Sequence, residues 1–327
     1  MTDRVLFVGD PVVDRLVRVD CSLLREQAIE PAGCVSISTE EMDSLLQVLQ
    51  ARHLMVRACD GGSAANGAKA YAQLQPAGEV GFMGMIGPDA PGKSYEAGLM
   101  EKGVRPHLVQ SPTGSPTATC LCLVTEDGER TMRTCLSAAG ELKLPEQLPE
   151  GWADNCRAVH LEGYCLYRPQ LAEHIMTTAR TKGALVSLDL ASYEVVNNNH
   201  ATLLRWMQQG LLNLVFCNLE EAQALAKVVG LTKTDQMEDD LLQGLALQVT
   251  HLCQTFIVSL GARGCKAWSR VRPATHRTSS DDSSQPESAS APAPKVQVVD
   301  TVGAGDCLIA GFLYGYLSGA CIQQCVE

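Results

Sequence analysis

The segment Asp300-Thr301-Val302-Gly303-Ala304-Gly305-Asp306 joins a carboxylate to a run of small residues just where a helical pattern begins. It follows the apolar Val296-Gln297-Val298-Val299 and precedes Leu308, Ile309, Phe312, Leu313, Tyr316 and Leu317 at helical spacing. That order predicts a strand, a Gly-rich turn and a helix. Small residues at 303, 304 and 305 let a ligand approach the backbone, and amides at a helix start favour an anion such as a phosphoryl group. Asp306 would then stand in the first helical turn, where its carboxylate can take a proton from an attacking hydroxyl. On shape alone the segment is equally a structural turn in which Asp306 complements the helix dipole.

The other candidates end apolar runs. Asp10 follows the run at 5–9, Glu162 the run at 158–161, Asp189 follows Leu188 in the run at 185–190, Asn218 follows 214–217 and Ser259 lies within 256–260. Parallel α/β sheets bind ligands at the carboxyl ends of their strands, so these residues together suggest a polar rim. Each alone is also a normal cap for the helix that follows a strand. Asn218-Leu219-Glu220-Glu221 shows the ambiguity best, because an Asn followed three residues later by Glu is close to a capping box, which needs no ligand.

Short apolar runs alternating with helical stretches predict a mostly parallel sheet covered by helices. The stretch 169–180 fits a crossover helix, with Leu171, Ala172, Ile175, Met176 and Ala179 on one face, Pro169 in the first turn and Gly183 at the stop. Strand-like segments at 14–21, 34–38, 117–125 and 130–136 read as a small β lid, its strands drawn from about 14–38 and 117–136 of a single 1–327 domain. The Ser-, Pro- and Ala-rich stretch 273–294 is expected to be a disordered insertion, since it cannot bury enough apolar surface to offset its ordering entropy.

Composition narrows the partners. The net charge of −11 provides no positive field to gather nucleic acid or anionic lipid, so neither is expected as a partner. The amino terminus lacks the apolar core of a signal peptide, which points to a cytoplasmic protein. Fourteen cysteines lack the spacing of a zinc site or disulfide framework, and the closest pairs, Cys120/Cys122 and Cys321/Cys325, read as buried small hydrophobes. Gly9-Asp10-Pro11 stands where a nicotinamide-dependent dehydrogenase would carry Gly-x-Gly-x-x-Gly after its first strand.

The segment 300–306 with Cys307-Leu308-Ile309-Ala310-Gly311-Phe312 closely resembles the carboxyl-terminal signature of the ribokinase-like (PfkB) kinases. Gly61-Gly62-Ser63-Ala64-Ala65-Asn66 resembles that family's amino-terminal Gly-Gly motif, Gly84-Met85-Ile86-Gly87-Pro88-Asp89 the segment just downstream, and Gly9-Asp10-Pro11-Val12-Val13-Asp14 its first strand and loop. The pieces fall in the family's order. The resemblance implies a ribokinase-like three-layer α/β sandwich with a β lid. It also implies an ATP-dependent kinase that moves the γ-phosphoryl group to a hydroxyl of a sugar or nucleoside. Asp306 becomes the base and Gly303, Ala304 and Gly305 the anion hole. Asp14, Gly61, Gly62 and Asn66 fall on substrate-binding positions, with Asp10 and Glu162 nearby. Asn218 and Glu221 match an Asn-x-x-Glu element that positions Mg2+, largely through water, and Ser259, Gly261 and Gly264 match the nucleotide-side loop.

Two departures shape the expectation. Gly140 stands where many members carry an Asn, and the chain stops at Glu327 where members continue through helices that complete the adenine pocket and, in many, a monovalent-cation site. The alternative this raises is a non-catalytic sugar- or nucleoside-binding paralogue.

Overall fold

A computed structural model describes residues 4–31, 33–75, 78–231, 238–270, 285–298 and 301–327. Its main sheet has nine strands. In spatial order they are β14 (Glu287–Ala291), β13 (Cys265–Ser269), β12 (Thr255–Ser259), β11 (Leu214–Asn218), β10 (Leu185–Asp189), β9 (Cys156–Leu161), β1 (Arg4–Val8), β5 (Val80–Ile86) and β6 (Val104–Gln110). From β6 to β12 every pairing is parallel, while β13 and β14 are antiparallel.

The strands are apolar on both sides because helices cover both faces. On β1, Leu6 and Val8 face one core while Val5 and Phe7 face the other. The first core takes α5 (Pro169–Thr181), α6 (Tyr193–Gln208), α7 (Leu219–Val228) and α8 (Glu238–Leu252). The second takes α3 (Ser63–Leu74), α4 (Ala90–Glu101), α9 (Ala304–Leu317) and α10 (Ile322–Val326). The result is the expected α/β sandwich of three layers.

A separate five-stranded sheet runs β3 (Cys34–Ser36), β8 (Arg130–Cys135), β7 (Ala118–Val124), β2 (Val12–Arg18) and β4 (Val56–Asp60). One face packs Val17, Leu121, Leu123 and Cys135 against α1 (Cys21–Glu26) and α2 (Thr39–Ala51). Strand alternation turns Asp14 to the opposite face. Register sets Asp14 beside Cys59 on one neighbour and Cys120 on the other, with Thr134 next in the row.

Two expectations fail at the carboxyl-terminal side. The disordered insertion 273–294 is contradicted in its last part, because Glu287–Ala291 is an edge strand hydrogen-bonded to β13 with Ala289 buried; residues 273–284 lie outside the described residues. The strand expected at 296–299 is irregular backbone over 296–298, with Val296 and Val298 exposed. Pairing to an existing edge supplies what the composition of Glu-Ser-Ala-Ser-Ala does not, since ladder bonds to β13 satisfy its backbone. None of the fourteen cysteines forms a disulfide; Cys120, Cys122 and Cys325 are buried as expected, and Cys321 is half-buried. No helix among the described residues is long and apolar enough to cross a membrane.

Candidate functional site

The site forms where α3 and α9 begin side by side. Gly303 caps α9 with φ of 76°, a left-handed conformation that costs a residue with a Cβ, and the Ala304 amide closes the turn by donating to the Thr301 carbonyl at 3.2 Å. A Cβ on Gly305 would touch nothing within 4 Å, so its small size keeps that space clear for a ligand. Asp306 lies in the first turn. Its Oδ1 accepts from Ser63 Oγ at 2.7 Å and its Oδ2 from Asn66 Nδ2 at 3.0 Å, so two residues of α3 hold the carboxylate in one orientation. Burial raises the Asp306 carboxyl above its ordinary range, and these two donors oppose the rise.

Asp14 stands on the lid strand β2, within electrostatic range of Asp306. Burial lifts its carboxyl to about 6, against the pull of Lys69 and with a push from Asp306. A Cβ on Gly61 would lie 2.0 Å from Asp14 Oδ2, and one on Gly62 would lie 2.5 Å from the Asp10 carbonyl oxygen. The Gly-Gly pair therefore lets the Asp14 carboxylate and the first loop lie flat against the chain. Lys69 Nζ donates to the Asp60 carbonyl at 2.8 Å, and Tyr95 Oη donates to the Gly61 carbonyl at 2.7 Å.

Asp10 and Glu162 sit behind this surface. Glu162 accepts from the amides of Asp10 at 2.8 Å and Ala64 at 3.1 Å, and Asp10 Oδ1 accepts from Arg168 Nη2 at 2.6 Å. Burial, reinforced by Asp10, pushes the Glu162 carboxyl upward. Both carboxylates are committed to the loop and to the start of α3.

Across the cleft Asn218 and Glu221 form a reciprocal cap on α7. The Glu221 amide donates to Asn218 Oδ1 at 2.9 Å, while the Asn218 amide and Nδ2 donate to the two Glu221 oxygens at 2.9 and 2.7 Å. Burial raises the Glu221 carboxyl to about 7. Ser259 lines the cleft from the end of β12. Gly261 and Gly264 bound the following turn, and Gly264 is required by packing, since a Cβ there would lie 1.9 Å from the Ala291 carbonyl oxygen of β14.

The cleft holds about 360 Å³, within the range of small-molecule sites. Ser63, Tyr164, Asp189, Asn218, Glu221, Ser259, Gly305 and Asp306 line it. Ser63 and Tyr164 were not singled out in the sequence, and Asp189 stood there only as a strand end. Burial, then Glu221, then Asp306 raise the Asp189 carboxyl well above its ordinary range. Ser63 lies inside the Gly-Gly motif, but its bond spans 243 positions of sequence, so only the fold reveals it.

The site thus holds a carboxylate oriented at a helix start beside small residues, within electrostatic range of a lid carboxylate. The profile of the pfkB family of carbohydrate kinases matches residues 47–327. The chain belongs to the pfkB family. Adenosine kinase 1 from Arabidopsis thaliana is 24% identical over 342 residues, covering 99% of this chain and 90% of that protein. Fructokinase-1 from Oryza sativa subsp. japonica is 28% identical over 263 residues, covering 77% and 72% respectively. The crystal structure of adenosine kinase from Sinorhizobium meliloti superposes with a TM-score of 0.78 at 29% identity, covering all of this chain and 90% of that one.

This pfkB kinase is thus a phosphotransferase with an alcohol group as acceptor, acting on sugars or nucleosides, and the family implies ATP as donor.

Proposed function

We propose that the protein transfers the γ-phosphoryl group of ATP to a hydroxyl of a nucleoside in preference to a free sugar, with Asp306 as the general base. The observation that carries the chemistry is the Asp306 carboxylate held by Ser63 and Asn66 at the start of α9. Each of its oxygens accepts one bond and keeps a lone pair, so one can take the proton of the acceptor's hydroxyl as the hydroxyl oxygen attacks phosphorus. The amides of Gly303 and Gly305 would then oppose the charge gathering on the transferring group, the Ala304 amide being held by the Thr301 carbonyl.

Asp14, with Gly61, Gly62 and Asn66, would hold the acceptor's other hydroxyls. Asp10 and Glu162 act one layer back, by fixing the loop and the start of α3. The preference for a nucleoside rests on Tyr164, which lines the cleft, is 40% exposed and lies within electrostatic reach of Cys34 and Cys120 of the lid. A planar base can stack on such a ring, whereas a free sugar would set hydroxyls against it.

On the donor side Asn218, Glu221, Ser259 and the 261–264 turn face the ATP phosphates and ribose. Among the described residues no group of three or more His, Cys, Asp or Glu side chains is arranged to ligate a metal. The donors that do line the cleft, Asp189 and Glu221, suit Mg2+, which keeps several waters and binds through one or two carboxylates and the substrate's phosphates. Glu221 would act through water, since Asn218 occupies both its oxygens. Bound Mg2+ would neutralise phosphate charge. The cellular setting proposed is the cytoplasm.

The test is ADP release with ATP, Mg2+ and a panel of ribose, fructose, other sugars, adenosine and related nucleosides. Turnover of a nucleoside well above every sugar is expected. Turnover of sugars alone would remove the stacking argument, and no turnover of any acceptor would remove the reading as a whole.

A further inference from the structure

The chain passes between the main domain and the lid at four places: residues 9–12, 60–63, 110–118 and 135–142. The first two crossings are tied by backbone, with the Gly61 amide donating to the Val12 carbonyl at 2.8 Å, and are braced by Tyr95 and Lys69. The other two meet differently. Their one backbone link is the Ala138 amide donating to the Pro116 carbonyl at 3.0 Å, and beside it lies a cluster of side chains centred on Glu141.

Ser111 Oγ donates to Glu141 Oε2 at 2.7 Å, and Thr113 Oγ1 donates to Oε1 at 2.6 Å. Ser115 Oγ also donates to Oε1. The sequence Ser-Pro-Thr-Gly-Ser-Pro explains how alternate residues reach one point: Pro112 and Pro116 restrict φ, and Gly114 turns the chain at φ of 81°. Hydroxyl bonds to an ionised carboxylate are the stronger kind, and the three together hold the Glu141 carboxyl below its ordinary range. One end of this inbound crossing is also anchored, because Thr117 donates from its amide and hydroxyl to the Asp89 carboxylate at 2.8 and 2.6 Å. The outbound crossing is anchored in turn by Arg168, which donates to the Ala139 carbonyl at 2.9 Å while pairing with Asp10.

We propose that Glu141 is a positioning residue for the acceptor: by gathering Ser111, Thr113 and Ser115 it locks the third and fourth crossings together and so sets how the lid holds Asp14 over Asp306. Glu141 and Ser115 are half-buried and Thr113 is exposed, so the Thr113 and Ser115 hydroxyls released from it can turn to water, while the buried Ser111 hydroxyl keeps Thr113 Oγ1 as a partner at 3.1 Å. Its loss therefore loosens the lid without opening a buried defect. The inference rests on the kinase reading for its kinetic consequence and on geometry alone for the latch.

The experiment compares Glu141→Ala and Glu141→Gln with the wild-type protein in two measurements. In hydrogen exchange on the unliganded protein, Glu141→Ala is expected to speed exchange at 111–117 and 137–141 and to leave α5 unchanged. In kinetics on the best acceptor, its acceptor KM rises roughly tenfold, ATP KM stays within about twofold, and more ATP is hydrolysed without acceptor phosphorylation, since a loose lid admits water. Glu141→Gln keeps one acceptor oxygen and falls between. Unchanged exchange overturns the latch whether or not any acceptor turns over. Faster exchange with a wild-type acceptor KM overturns the positioning role, and equal rises in both KM values would mark a general structural defect instead.

Discussion

The two walls of the cleft are built on different principles. On the acceptor side, Ser63 and Asn66 donate to Asp306, whose two oxygens each accept one bond and keep a lone pair, and Gly61 leaves room for the Asp14 carboxylate. On the donor side, Asn218 and Glu221 satisfy each other, and Gly264 answers a packing constraint from β14. The acceptor wall is therefore poised for ligands, while the donor wall is first a piece of fold. Substitutions on the acceptor wall should change turnover more than stability, and those on the donor wall the reverse.

The largest test of that contrast is Asp306→Asn. The amide keeps its shape and can still meet Ser63 and Asn66, but it cannot take a proton. A fall in kcat of ~10²–10⁴-fold is expected with little change in melting temperature or acceptor binding. Near-normal kcat on a validated acceptor would show that another group is the base.

Gly61→Ala should come next. The new Cβ would lie 2.0 Å from Asp14 Oδ2, so the carboxylate or the loop must move. Misplacement of a binding group by about 1 Å can cost up to roughly 10²-fold, and the loss should fall on acceptor KM with ATP KM preserved. If both substrates weakened equally, the Gly-Gly pair would be serving the whole lid rather than Asp14.

How much of this could be read beforehand follows the same division. The acceptor wall was legible because its residues sit in short contiguous motifs at 61–66 and 303–306, where local turn chemistry and the proposed chemistry use the same residues. The lid strands β2, β3, β7 and β8 were legible from their β-branched residues, but β4 was not, since Val56-Arg57-Ala58-Cys59-Asp60 has neither alternation nor β-branched character beyond Val56. The strand β14 escaped for a related reason, being made by its neighbour's edge and not by its own residues. Glu141 escaped because its meaning depends on a loop 26–30 residues earlier that only the lid's topology returns to it.

A smaller effect should appear in the pH dependence of acceptor binding. Ionised Asp14 accepts hydroxyl hydrogens, and protonation removes part of that capacity. Acceptor KM should therefore rise as pH falls through about 6, the value to which burial lifts this group. Lys69 works against that lift, so Lys69→Met should move the rise to higher pH. Titrating acceptor KM in both proteins between about pH 5 and pH 8 checks this. Superimposable profiles would mean that Lys69 serves only to brace the Asp60 carbonyl.

The smallest expected effect, Glu221→Gln, separates cap from metal on the donor wall. Two donors of Asn218 meet the two Glu221 oxygens, so a glutamine must set its NH2 against one of them, at a cost of about 1 kcal/mol. The pH dependence sharpens the reading. Burial raises the Glu221 carboxyl from 4.5 to about 7, so across that interval the folded protein binds more protons here than the unfolded chain does. Its contribution to stability is full below the lower value and is lost as pH rises through the upper one, by at most about 1.4 kcal/mol for each pH unit crossed. Glutamine has no such proton, so the variant should lack this part of the decline, and the difference in melting temperature between the two proteins should narrow as pH rises. Mg2+ with ATP then decides the role. A cation held near Glu221 through water favours the ionised form, so adding both should flatten the wild-type decline relative to the variant and leave the variant needing more Mg2+ for turnover. If Mg2+ and ATP leave the difference between the two curves unchanged, and the Mg2+ requirement is unchanged as well, Glu221 is a cap alone and the cation is held by the phosphates and other donors of the cleft.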